Sequence, residues 1–254
     1  MSGWTIAAFT HRGRVRLDNE DAIAVDGQSF VGDMAAPVAI KTLNESIVLM
    51  IADGMGGHAR GAMASRAVLD YLVAAIDRLS NPASCAQAVE EANQHLFGLM
   101  HQHPEAVGMG STIVGAVLGA KQLVTFNVGD SRCYLFSAGQ LIQLSQDDVP
   151  EQESDRPGPR RSHAITQALG GSSFPLAIVP HITIDSPFAL GETLLLCSDG
   201  LTDMVADQTI SDTLRTTKDP LRSARKLAAE AFNAGARDNI SLIVACRSNS
   251  SNSL

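Results

Sequence analysis

Four aspartates each stand at one end of an apolar, strand-like run, beside a residue suited to a sharp turn. Asp53 and Asp199 are followed by glycine, Asp130 is preceded by glycine, and Asp238 comes just before the run that begins at Ile240. If the strand before Asp199 pairs antiparallel with the strand after Asp238, both carboxylates fall at one edge of a sheet. Asp53 and Asp130 also end strands and are candidates for the same edge. Asp-Gly is among the commonest turn dipeptides, so each aspartate alone is weak evidence and the prediction depends on the set.

Carboxylates that meet at one place repel one another and raise one another's pKa, so such a cluster predicts bound cations. Oxygen ligands without a nearby His or Cys pair favour Mg²⁺ or Mn²⁺ over zinc. Glycine beside an aspartate lets the backbone approach closely and offer its carbonyl oxygen as a further ligand. An unrelated metallohydrolase or nucleotide phosphatase has no positive support, because the chain contains neither a phosphate-binding P-loop nor an H-E-x-x-H motif.

Apolar periodicity predicts strands and helices that do not alternate strictly along the chain. Strands are predicted over 4–9, 47–52, 111–118, 123–128, 133–136, 181–184, 193–197 and 240–246. Helices are predicted over 61–79, over a segment that includes 89–100, and over 221–232. This order argues against a parallel doubly wound sheet and favours two antiparallel sheets with helices outside them.

Charge and composition exclude several classes of function. The formal charge is −8, aromatic residues make up 4% of the chain, and no basic run is longer than Arg160-Arg161, which together predict no nucleic-acid partner. No apolar run approaches the roughly 18 residues of a spanning helix, so we expect no membrane association. The four cysteines lie far apart, which predicts free thiols in a reducing cytoplasm.

Seven short motifs occur in order between residues 13 and 240. They are Gly13 with Arg16-Leu17-Asp18-Asn19-Glu20-Asp21-Ala22, Asp53-Gly54-Met55-Gly56-Gly57-His58, Gly108-Met109-Gly110-Ser111-Thr112, Val128-Gly129-Asp130-Ser131-Arg132, Leu169-Gly170, Ser198-Asp199-Gly200-Leu201 and Asp238-Asn239-Ile240. In this order they make the chain resemble the type 2C metal-dependent protein serine/threonine phosphatases, especially the compact bacterial-type members.

The resemblance implies an α+β fold of four layers, an α-β-β-α sandwich in which antiparallel helix pairs flank two central antiparallel sheets. It implies a single phosphatase domain over residues 1–247, with a short flap-like loop at 146–163. The Ser- and Asn-rich tail, 248–254, is predicted to be disordered.

The resemblance also assigns metal-binding roles to seven positions, which are Glu20, Asp21, Asp53, Gly54, Asp130, Asp199 and Asp238. It implies that Asp53 bridges two ions and that Gly54 coordinates one of them through its carbonyl. Asp199 and Asp238 would complete the shell of the first ion. The two residues at 20 and 21 would act through metal-bound waters, and Asp130 together with Asp199 matches a third metal position.

The implied reaction is hydrolysis of phosphoserine and phosphothreonine by direct attack of a metal-bridging hydroxide, with two or three Mn²⁺ or Mg²⁺ ions per chain. Arg16 would grip the substrate phosphate, for which a planar, permanently charged guanidinium is well suited. Asn239 is also assigned to substrate binding. Cys197 lies in the apolar run 194–197 and is predicted to be a buried, inert thiol rather than a nucleophile.

Two positions depart from the family pattern. Met55 stands where animal-type members have a histidine that protonates the leaving group, so His58 or a metal-bound water is the candidate acid. Asp148 stands where the family commonly has a histidine after an aspartate. The arginines of the 146–163 loop either help select phosphopeptides or belong to a solvated loop.

The resemblance implies phosphorylated proteins as partners, namely the substrates of a Ser/Thr kinase and the kinase itself, and a monomeric state. One alternative is a regulatory phosphatase with a narrow target. A second is a catalytically silent relative that binds phosphoproteins as a scaffold, although every expected metal-binding aspartate is present.

Overall fold

The computed structural model describes residues 2–57, 59–150 and 164–249. The candidate acid His58, most of the predicted flap with Arg156, Arg160 and Arg161, and residues 250–254 lie outside the described residues. The strands are β1 (Ser2–His11), β2 (Ala22–Val25), β3 (Gln28–Val31), β4 (Val38–Thr42), β5 (Ile47–Ala52), β6 (Gly54–Met55), β7 (Gly110–Ser111), β8 (Ile113–Leu118), β9 (Leu123–Val128), β10 (Arg132–Ser137), β11 (Gln140–Gln143), β12 (Leu169–Gly170), β13 (His181–Asp185), β14 (Thr193–Cys197) and β15 (Ile240–Asn249). The helices are α1 (Ala59–Ala74), α2 (Pro82–Gln102), α3 (Asp199–Thr202), α4 (Asp207–Thr216) and α5 (Pro220–Asn233), with short 3₁₀ turns at Ile76–Arg78 and Pro104–Ala106.

The described strands form two six-stranded sheets and one small sheet, and every strand pair is antiparallel. The first large sheet has the order β11-β10-β14-β15-β1-β4, and the second has the order β13-β9-β8-β5-β2-β3. The small sheet, β12-β7-β6, was not predicted. The prediction of two central antiparallel sheets is confirmed.

Three apolar clusters separate four layers. One cluster lies between the second sheet and the pair α1 and α2, and includes Leu72 and Leu96. The second fills the space between the two large sheets, with Ile6 and Ile51 among its members. The third lies between the first sheet and α4 and α5, around Leu227. The α-β-β-α sandwich is therefore confirmed, and burial of both faces of each large sheet provides its main stabilisation.

Three strands that are buried throughout have the bounds that the sequence predicts. The bounds of β5, β9 and β14 match the predicted strands, because each is rich in apolar residues and lies in the interior of the sandwich. At the start of α2 the side chain of Asn81 accepts hydrogen bonds from the backbone N–H of Ala83 and Ser84, at 3.1 and 3.2 Å. Pro82 takes the first helical position, where its missing N–H costs nothing.

Several predicted boundaries were wrong. The helix predicted over 61–79 ends at Ala74, and a separate 3₁₀ turn follows. The strand predicted over 111–118 is divided at Thr112, because β7 belongs to the small sheet and β8 to a large one. The tail predicted from residue 248 begins too early, since β15 continues to Asn249, where Ser2 of β1 still supplies a partner.

None of the helices in the described part of the chain is long and apolar enough to cross a membrane. The four cysteines are free, as predicted, and Cys85, Cys133 and Cys197 are buried.

Candidate active site

Asp199 and Asp238 lie at the same edge of the first sheet. Strands β14 and β15 pair antiparallel, with Cys197 opposite Leu242, so the end of one strand adjoins the start of the other. Asp199 opens the short helix α3 and Asp238 immediately precedes the turn into β15. The predicted placement of these two carboxylates is confirmed.

Asp53 and Asp130 follow two strands of the second sheet. Strand β8 pairs antiparallel with both β5 and β9, so these two strands run parallel to each other and finish at one edge. Thr112 connects the two turns, because its Oγ1 accepts from the Asp53 N–H at 3.2 Å and shares a hydrogen bond with Ser131 Oγ at 2.8 Å. The Thr112 N–H in turn donates to the Asp53 carbonyl at 2.9 Å.

The edges of the two sheets meet around one cavity of about 220 Å³. The predicted site residues that line it are Arg16, Glu20, Asp53, Gly54, Asp130, Asp199, Asp238 and Asn239. Met55, Thr112 and Ile165 also line the cavity, although the sequence assigned none of them a positive role there. Thr112 belongs to one of the seven sequence motifs, whereas no sequence pattern singled out Ile165.

Asp21 does not line the cavity but lies buried behind it. Its Oδ2 accepts from Ser198 Oγ at 2.9 Å, and its Oδ1 has no hydrogen-bond partner among the described residues. Burial, with a smaller contribution from the nearby charges of Asp199 and Asp238, raises the pKa of Asp21 to about 7, although hydrogen bonds from two serines lower it. A buried carboxylate oxygen without a donor is well placed to accept from a metal-bound water.

Electrostatic repulsion is concentrated at Asp53. Burial raises its pKa well above the usual range, and the charges of Asp21, Asp199, Asp130 and Asp238 raise the pKa further. Divalent cations relieve such repulsion, and the acidic side chains around the cavity offer oxygen ligands, which Mg²⁺ and Mn²⁺ prefer. Among the described residues, no three acidic, histidine or cysteine side chains converge closely enough to hold one ion by themselves; the carboxylates line the walls instead. The donor chemistry, the unpartnered Asp21 oxygen and the repulsion at Asp53 fit divalent cations at this cavity.

Arg16 and Asp238 form an ion pair at the mouth of the cavity. Arg16 Nη2 donates to Asp238 Oδ2 at 2.6 Å, and about half of the arginine side chain is exposed. The guanidinium therefore stands beside the acidic wall with donors still facing solvent, which suits contact with a phosphate.

Asn239 fixes the loop between β1 and β2 at three points. Its Oδ1 accepts from the Glu20 N–H at 2.7 Å, and its Nδ2 donates to the carbonyls of Arg12 and Asp18 at 3.1 and 3.0 Å. The side chain is 5% exposed and its polar atoms are engaged with the backbone. Asn239 thus fixes the position of Glu20, and its assignment to substrate binding stays a prediction.

Gly54 leaves no room for a side chain. A Cβ at this position would lie 2.1 Å from the Gly61 carbonyl oxygen and 2.5 Å from that of Glu20. The start of α1 and the loop that carries Glu20 therefore close on the backbone directly after Asp53.

A family model described as Protein phosphatase 2C matches residues 29–233 of the chain. The chain belongs to this family. The members of this family named below are called serine/threonine phosphatases.

Relatives in the protein phosphatase 2C family agree over almost the whole chain. The serine/threonine protein phosphatase PstP of Mycobacterium tuberculosis is 31% identical over 255 residues, which cover 94% of this chain but only 44% of PstP. The serine/threonine phosphatase stp of Listeria welshimeri is 30% identical over 254 residues, which cover 92% of both proteins. The chain thus spans less than half of the first relative and nearly all of the second.

The solved catalytic domain of PstP, in complex with two manganese ions, has a TM-score of 0.78 to this chain at 31% identity. The match covers 98% of this chain and 100% of that domain. The fold of this chain is therefore supported independently of the motifs, and the manganese ions are those of the PstP domain.

Proposed function

We propose that this chain hydrolyses phosphoserine and phosphothreonine in proteins, with the acidic cavity as its active site and Mn²⁺ or Mg²⁺ as its cofactor. The observation that carries the proposal is the convergence of five acidic residues and Arg16 on one cavity, in a chain of the protein phosphatase 2C family. The walls come from chain segments more than 200 residues apart, so the fold brings together all the predicted acidic positions except the buried Asp21.

Asp53, Asp199 and Asp238 would hold the ions directly, with Gly54 contributing its carbonyl and Asp130 serving a further ion. Bound divalent cations would activate water and offset negative charge on the phosphoryl group. Arg16 would orient the substrate phosphate by a charge-assisted hydrogen bond. The buried Asp21 would accept a hydrogen bond from water through its unpartnered oxygen.

The number of ions, the extent of the domain, the biological setting and the general acid are each proposed from fewer observations. Two ions per chain are favoured by the two manganese ions of the PstP catalytic domain, and Asp130 would take part in a third. Residues 1–247 are proposed to act as one phosphatase domain, since β1 and β15 from opposite ends of the chain pair with each other. A monomer in the cytoplasm that opposes a Ser/Thr kinase fits phosphoprotein substrates. His58 remains the candidate general acid on sequence grounds alone.

The proposal is tested with p-nitrophenyl phosphate and a phosphothreonine peptide, in Mn²⁺, in Mg²⁺ and in EDTA. We expect turnover that requires metal and falls by about 100-fold or more in Asp53→Asn, because this change removes a charge from the metal site. Asp77→Asn is the matched control, since Asp77 is exposed and lies on the 3₁₀ turn after α1.

A readout without turnover accompanies the assay. In EDTA, Asp53→Asn should raise Tm, because it removes a buried charge that its neighbours repel. Folded, metal-treated protein without turnover of either substrate would contradict the enzyme proposal and favour the silent phosphoprotein-binding scaffold.

A further inference from the structure

A short basic loop lies beside the acidic cavity and contributes Arg16 to its lining. We call residues 12–17 the arginine loop, which reads Arg-Gly-Arg-Val-Arg-Leu and connects β1 towards β2. Only Gly13 of the six residues is buried, and Val15 and Leu17 are 64% and 71% exposed. The loop carries three of the 19 Lys and Arg residues of a chain whose net charge is −8. The arginine loop is therefore a positively charged patch on a negatively charged protein.

The backbone of the arginine loop is fixed although its side chains face solvent. The Arg12 N–H donates to Asp33 Oδ1 at 2.8 Å, and the Arg14 N–H donates to the Ala236 carbonyl at 2.8 Å. The Asn239 side chain holds the Arg12 carbonyl. A surface fixed in this way loses little conformational entropy when it binds a ligand.

The three arginines of the loop differ in whether they form ion pairs. Arg16 pairs with Asp238 in the cavity and Arg12 pairs with Asp33, so the charges of both are offset. The guanidinium of Arg14 lies 5.7 Å from the centre of the Phe232 ring, which supports it from below. Within the part of the chain that the structure describes, Arg14 has no carboxylate partner.

Arg237 adds a second such cation beside the loop. It lies in the segment after α5, next to Ala236, whose carbonyl accepts from Arg14. Its side chain is exposed, and among the described residues it forms no ion pair. Arg14 and Arg237 thus place two uncompensated guanidinium groups on adjoining segments, within one or two residues of the Arg16–Asp238 pair.

We propose that the arginine loop and Arg237 dock acidic residues that flank the phosphorylated residue of a substrate, with Val15 and Leu17 covering its apolar side chains. The inference rests on the proposed phosphatase activity and names the substrate class of that site. A guanidinium fork binds carboxylates in a planar, two-point geometry, and a fixed loop beside the phosphate site presents that fork to the flanking residues. The net charge of −8 by itself favours basic peptides, so a preference for acidic flanks reports the local surface and not the bulk charge.

The test compares two phosphothreonine peptides that differ only in having Glu or Gln on both sides of the phosphorylated residue. Each kcat/KM is normalised to turnover of p-nitrophenyl phosphate, which has no flanking residues. We expect the Glu peptide to be preferred by about 3- to 10-fold, the range of two partly exposed charge pairs, and the preference to shrink at high salt. The double variant Arg14→Gln/Arg237→Gln should bring the ratio close to one. Arg225→Gln, an exposed arginine on α5, is the matched control and should keep the preference.

Binding of the same peptides to Asp53→Asn, followed by fluorescence anisotropy, gives a readout that needs no turnover and should show the same ratio. Equal kcat/KM for the two peptides, or a preference that survives the double variant, would overturn the inference while p-nitrophenyl phosphate is still hydrolysed. Loss of turnover for every substrate in the unaltered chain would instead overturn the proposed function, and this inference with it.

Discussion

Gly200 lies where α3 passes closest to the start of β15, between the two aspartates of the first sheet. A Cβ atom at this position would stand 1.8 Å from the Asn239 carbonyl oxygen and 3.5 Å from the Cβ of Asp238. Contacts below 3.0 Å are essentially never seen for a real Cβ, and the obstacle here is backbone. Gly200→Ala must therefore push α3 and β15 apart by roughly 1 Å, and Asp199 and Asp238 with them.

The expected cost follows from this contact. Overpacking of a well-packed interior costs about 1–3 kcal/mol, and a backbone obstacle that cannot change rotamer places Gly200→Ala near the upper end. Since 1 kcal/mol shifts Tm by about 2–4 °C in a domain of this size, Tm should fall by about 6–12 °C. Mn²⁺ affinity should also fall, by about 10-fold or more, because the carboxylates are displaced from each other.

Gly98→Ala is the control with the opposite sign. Gly98 lies inside α2 and a Cβ there would meet nothing within 4 Å, so alanine should stabilise the helix by about 0.4–1 kcal/mol. Thermal denaturation in EDTA gives the stabilities, and titration calorimetry gives Mn²⁺ affinity. Gly200→Ala with the Tm and the Mn²⁺ affinity of the unaltered chain would refute the reasoning that this close approach sets the spacing of the two aspartates.

Asn239→Ala should lower the free energy of unfolding by about 1–3 kcal/mol, measured by urea denaturation, because the Glu20 N–H loses its acceptor; a change within experimental error would contradict this. Asp148→Ala should cost a similar amount, about 1–3 kcal/mol, because the buried carboxylate accepts from the Gly129 N–H at 2.8 Å and the N–H would be left unpaired. Burial raises the pKa of Cys197 to about 12, so iodoacetamide at pH 8 should label this thiol only after denaturation; rapid labelling of native protein, followed by mass spectrometry, would show the site to be open.

Strands and helices could be predicted where the apolar pattern decided the structure. The face predicted for α2, from Val89 to Met100, is buried, and β14 has its predicted bounds. The edge strand β3 was missed, because its Gln and Ser residues are exposed and give no apolar signal. Helix α4 was missed for a related reason, since its Asp and Thr residues are weak helix formers and only three of its side chains are buried. Both elements depend on tertiary packing that a local pattern does not contain.

For the site as well, some features could be predicted from the sequence and others could not. The adjacency of Asp199 and Asp238 followed from strand ends and antiparallel pairing, which are local features plus one assumption about topology. Asp148 was noted only as a departure from the family. The structure shows it accepting hydrogen bonds from Gly129 and Gln167 and contacting His181 at 2.9 Å, so that one carboxylate braces the turn that carries Asp130. No spacing in the sequence indicates contacts between segments this far apart.

The hydrogen bonds that Asn239, Thr112 and Asp148 make around the site explain in physical terms why motifs that are weak one by one become specific as a set. The Asn239 side chain can form its hydrogen bonds only if the fold brings the carbonyl of Asp18 and the N–H of Glu20 next to it, from more than 200 residues away in the sequence. Thr112 is useful only if Asp53 and Ser131 flank it. Each of these side chains lies beside an aspartate that its neighbours repel, and repulsion at a buried site must be resisted by the surrounding structure. These hydrogen bonds therefore have an energetic role that the aspartates alone do not reveal, because they hold a cluster of like charges in place for cations. The repulsion within the cluster lowers the stability of the metal-free protein, and Asp53→Asn is expected to restore that stability.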